Sequence, residues 1–121
     1  MLINILVYLL TLLIFFLFNE NDIRFFLTFT SYLLICELYK ISYFKRLIYF
    51  LIAIFCVLTE IIFIKLFSNT WIYKNPNLLG IPFWLIPLWG IAILLIININ
   101  KDIENIIKYI KKILQKYFIY I

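Results

Sequence analysis

The chain has 121 residues, of which 67% are hydrophobic and 14% charged, and its formal net charge is +5. A water-soluble domain is nearer half apolar and a quarter charged, and a small one leaves much of its surface wet, so this much Ile, Leu and Phe does not fit inside one core. Composition therefore excludes an ordinary soluble domain and points to an all-α integral membrane protein. Ile, Phe, Tyr, Asn and Lys all come from AT-rich codons, so their placement carries the argument and their abundance does not.

A spanning helix needs ~20 mostly apolar residues. The first run, residues 2–18, is broken only by Asn4 and Thr11. No Lys or Arg precedes it and no small-residue cleavage site follows it, so it reads as a retained helix and not as a signal peptide. The short polar connection 19–24 predicts an antiparallel hairpin with the second run, residues 25–44. Glu37 and Lys40 lie near the end of that run, three apart, and are expected to pair along one face. The third run, residues 47–67, contains Thr59 and Glu60, with Lys65 near its end. Residues 68–79 read as an interfacial loop: Asn69, Asn75, Pro76 and Asn77 are turn residues, and Trp71 and Tyr73 are amphipathic rings that favour a membrane boundary.

The fourth run, residues 80–99, opens Gly80-Ile-Pro82-Phe-Trp84-Leu-Ile-Pro87-Leu-Trp89-Gly90. Pro82 fits a first helical turn. Pro87 is expected to kink the helix and free the carbonyls near Phe83 and Trp84. From Asp102 the apolar residues Ile103, Ile106, Ile107, Ile110, Ile113, Leu114, Tyr117, Phe118 and Ile121 recur in helical steps. Lys108, Lys111, Lys112 and Lys116 fill the opposite face. Residues 101–121 therefore predict a separate basic amphipathic helix, capped by Asn100 or Asp102, whose lysines meet anionic lipid headgroups. Nucleic acid is not expected as a partner, because the apolar face is too large to leave wet.

Four spans put Lys40, Lys45, Arg46 and the tail lysines on one side. Arg24, Lys65 and Lys74 lie opposite, beside Glu20 and Asp22. Basic residues in short loops favour the cytoplasm, so both termini are expected there. With no histidine in the chain and no closely spaced Cys pair, neither a metal nor a cofactor is expected. Cys36 and Cys56 fall at different depths and are read as free thiols.

Glu60 is the leading candidate for function, since a carboxylate deep in a bilayer is costly and needs a partner; the alternative is that it and the tryptophans only join helices through buried hydrogen bonds. Lys65, five residues on, lies ~140° around the helix and is a poor one. Depth matching gathers Thr28, Ser31, Thr59, Glu60, Trp84 and Trp89 into one polar cluster, with a tryptophan indole donating to Glu60. The order Glu60, Trp71-x-Tyr73, Gly80-Ile-Pro82, Trp84, Trp89 resembles carotenoid-pathway membrane enzymes of the lycopene cyclase type. That resemblance implies acid chemistry on a polyene with Glu60 as general acid. Three roles follow. The first is an interaction or structural subunit of a membrane complex, with a membrane protein or a second copy as partner. The second is a lipid- or polyene-modifying enzyme, and the third a small oligomeric channel.

Overall fold

The computed structural model describes residues 2–67, 72–73 and 75–118. They form four helices: α1 (Leu2–Leu17), α2 (Asn21–Leu38), α3 (Tyr43–Leu66) and α4 (Leu85–Tyr117). No strand occurs among the described residues beyond one isolated bridge, Leu78 to Ile81. Two helices, α3 and α4, are long and apolar enough to cross a membrane. The apolar α1 has 16 residues, and α2 includes Asp22, Arg24 and Glu37 among its 18.

Helix direction alternates along the chain. Asn4 at the start of α1 is hydrogen-bonded to Tyr39 just past α2 and to Asn98 and Asp102 of α4. At the other end, Arg24 of α2 reaches back to the last turn of α1, and Trp84 before α4 bonds Asn21. The central element is α4, packed mainly on α3 and α2 and more lightly on α1. It contributes to both apolar cores. One contains Val7, Tyr32, Ile35, Cys36, Ile41, Ile91 and Leu94. The other contains Val57, Ile61, Ile81, Trp84 and Leu85. Gly90 permits the α2–α4 contact: a Cβ there would stand 2.8 Å from the Tyr32 ring. Cys36 and Cys56 are both free thiols.

The turn between α2 and α3 comes earlier than the apolar run suggests, so α2 covers 21–38 and not 25–44. Lys40 adopts φ 55, Ile41 N–H donates to the Cys36 carbonyl at 2.9 Å, and Lys40 N–H donates to Glu37 at 3.1 Å. This is a Schellman ending, normally built on glycine. Ser42 then caps α3, accepting from Lys45 N–H. Glu37 does not pair with Lys40, which lies beyond the helix end. Its Oε1 instead accepts from Arg46 at 2.9 Å across the turn.

Helix α4 also departs from expectation at both ends. It begins at Leu85, so Pro82 lies outside it and Pro87 is its third residue. An amide there has no intrahelical acceptor, so Pro87 introduces no kink. The carbonyls expected to be freed are used: Pro82 accepts from Leu85, Phe83 from Ile86 and Trp84 from Leu88, each at 3.2 Å. Downstream, the expected break near Asn100 is absent, and one helix runs through to Tyr117. No Gly or Pro follows Gly90 to interrupt it. Asp102 lies within α4 and not at a helix start, and its carboxylate accepts from Asn4 at 2.7 Å. From Ile103 to Tyr117 the helix passes the end of α1, and every residue except Leu114 is exposed.

Candidate functional site

Glu60 lies two turns before the end of α3, on the side that meets the start of α4. Its Oε2 accepts from the Trp89 indole Nε1 at 2.9 Å, and its Oε1 accepts from the Tyr73 hydroxyl at 3.1 Å. Three segments are thus joined at one carboxylate: α3, the connection after it, and the first turns of α4. Beside it opens a cavity of about 300 Å³ lined by Glu60, Tyr73, Leu85, Leu88, Trp89 and Ala92. Among the described residues, Glu60 forms no ion pair.

Of the six residues expected to cluster, this site brings together Glu60 and Trp89. The Trp84 indole turns the other way and donates to Asn21 Oδ1 at 3.1 Å. Thr28 is fully buried but bonds the carbonyls of Arg24 and Phe25 in its own helix. Thr59 likewise returns to Phe55 of its own helix and is exposed. Ser31 is buried on α2. Depth matching assumed that consecutive helices pack along their whole length. In the structure α2 and α3 meet near their turn, where Phe50 contacts Phe29 and Tyr32. Elsewhere α4 takes the principal contacts of both.

The expectation for Tyr73 is an interfacial anchor, with a ligand-gripping role as the alternative. It bonds Glu60 and also packs edge-on to Trp84, with centroids 5.9 Å apart. Trp71, its expected companion, lies outside the described residues, as do Lys74 and Ile121. Tyr73 and Trp84 also line a second cavity of about 400 Å³ with Asn19, Asn21, Arg24 and Asn75. The polar groups there largely serve each other. Asn21 Nδ2 donates to the Asn75 carbonyl. The Arg24 guanidinium donates to the carbonyls of Phe15 and Phe18 and lies 5.0 Å from the Phe15 ring. Arg24 so provides donors for the last carbonyls of α1, at the negative end of that helix dipole.

At the opposite end of the bundle lies a polar network that reading by apolar runs missed. Asn4, 5% exposed, accepts from the Tyr39 hydroxyl at 2.6 Å and from Asn98 Nδ2 at 2.7 Å, and donates to Asp102. The available signal was Asn4 itself, one of two polar residues in the first run; a buried amide must find partners. Lys108, Lys111, Lys112 and Lys116 are all exposed on the α4 extension. Among the described residues, no three His, Cys, Asp or Glu side chains converge as metal ligands. No protein-family model, curated protein or solved structure matches the chain.

Proposed function

We propose that the chain is a multi-pass membrane protein, with four spans and both termini cytoplasmic, that serves as an interaction subunit of a membrane complex. Support for the spans comes from the outward faces. Phe16 is 84% exposed, Phe26 68% and Phe55 69%, on three different helices. Soluble monomers rarely expose apolar patches this extensive, whereas lipid accommodates them. Support for the orientation comes from the alternating helices together with the lysine and arginine bias toward the Asn4 end.

The observation that carries the interaction role is the unbroken α4. Its exposed residues Ile96, Ile99, Ile103, Ile106, Ile110, Ile113 and Tyr117 follow alternating steps of three and four, the register of a helix that packs on another helix. A helix that leaves the membrane without a break carries this stripe ~22 Å past Asp102, toward a partner protein or a second copy. The lysines fill the opposite face, and those nearest the membrane reach anionic headgroups. The acid-catalyst role for Glu60 draws less support, because both of its oxygens already accept from protein donors. Native mass spectrometry of the tagged protein, extracted in mild detergent from its own cells, tests the interaction role. A stoichiometric partner or homo-oligomer, lost when residues 103–117 are deleted, is the expected result. A lone chain with or without that segment refutes the role.

A further inference from the structure

We infer that the cavity beside Glu60 is a binding site for an organic ammonium cation bearing apolar substituents. The carboxylate is held at both oxygens by neutral donors, the Tyr73 hydroxyl and the Trp89 indole. Those bonds fix its position without supplying a positive charge, and no ion pair supplies one among the described residues. A carboxylate beside an apolar wall is best matched by a cation that sheds its hydration at little cost, because desolvation otherwise offsets the attraction. The cavity offers a route to the carboxylate: about 300 Å³ between Tyr73, Trp89 and the aliphatic side chains of Leu85, Leu88 and Ala92.

The lining selects the class of cation. Ca²⁺ or Mg²⁺ requires several oxygen ligands, and one carboxylate among aliphatic groups does not provide them. A substituted ammonium needs no ligand shell. Its diffuse charge is stabilised by a carboxylate and by electron-rich rings, and its carbon substituents match an aliphatic wall. This ammonium can belong to a free lipophilic cation or to a choline-type lipid headgroup. The inference is independent of the interaction role, which is read from particle mass and from residues 103–117.

The test uses the full chain in nanodiscs of phosphatidylglycerol, whose headgroup contains no ammonium, titrated with benzyltrimethylammonium. Binding is read by tryptophan fluorescence and calorimetry against empty discs. Saturable binding is expected, and its uncharged carbon isostere, neopentylbenzene, should bind at least about tenfold more weakly. Glu60→Gln should weaken cation binding by at least about tenfold while helical circular dichroism is retained. Ala92→Phe, which fills the cavity and leaves the carboxylate in place, should also weaken it and decides the matter if Glu60→Gln does not fold. Competition by added phosphatidylcholine would identify a headgroup as the source of the ammonium; absence of competition would identify a free cation. Unchanged affinity in folded Glu60→Gln or in Ala92→Phe, equal binding of the neutral isostere, or no saturable binding to the wild type overturns the inference.

Discussion

Lys40 holds the left-handed backbone, φ 55, that ends α2 and lets the chain turn into α3. A Cβ in that region crowds the following carbonyl, which glycine avoids. Lys40→Gly should therefore raise stability by about 0.5–1 kcal/mol, the relief of strain being partly offset by greater freedom in the unfolded chain. A higher unfolding midpoint in mixed detergent micelles would bear this out; a lower one would mean that the lysine side chain contributes more than its strained backbone costs. Gly90 is the opposite case. The Tyr32 ring that its added Cβ would meet is buried, and the Tyr32 hydroxyl donates to the Arg46 carbonyl, so the ring has little room to withdraw. Gly90→Ala should cost about 1–3 kcal/mol in the same measurement.

Among the helices, α1 depends most on its ends. It packs more lightly on α2 and α4 than α4 packs on α2 and α3, and much of its surface is exposed apolar side chain. Polar ties fasten it at two points: Asn4 to Tyr39, Asn98 and Asp102 at its start, and Arg24 to Phe15 and Phe18 at its end. Asn4→Leu is similar in size but removes the acceptor for two donors and the donor to Asp102. It should cost about 1–3 kcal/mol, because three buried or half-buried groups each lose one hydrogen bond. Hydrogen exchange should quicken in α1 and stay near wild type in α3. Equal acceleration in all four helices would mean that α1 is not a separately anchored element.

For the whole molecule, alternating helix direction and the proposed spans make a sharp statement about sides. In a background of Cys36→Ala and Cys56→Ala, Lys45→Cys and Lys108→Cys should react with a membrane-impermeant maleimide from the same side. Asn75→Cys should react from the opposite side. Labelling of Lys108→Cys together with Asn75→Cys would rule out the four-span topology. The result bears directly on the extension of α4, because its stripe can meet a cytoplasmic partner only if Lys108 shares a side with Lys45.

By itself the sequence determined that the chain is helical and apolar and roughly where each helix lies, and it led to the expectation that Glu60 takes its partner from another helix. These properties are local: run length, turn residues, and the antiparallel relation of neighbouring helices that brought Glu60 level with Trp89. The tertiary structure decided which helices are neighbours along their whole length. It put α4 at the centre, gave Glu60 the Tyr73 hydroxyl, gave Glu37 the Arg46 guanidinium in place of Lys40, and joined Asn4 to Asp102 across the chain. Helices that are apolar on nearly every side do not announce which face is core and which faces outward, since burial and lipid select the same residue types. Pro87 shows the same limit at one residue: its effect depends on whether α4 begins at residue 80 or at Leu85, and only the packed start of the helix fixed that.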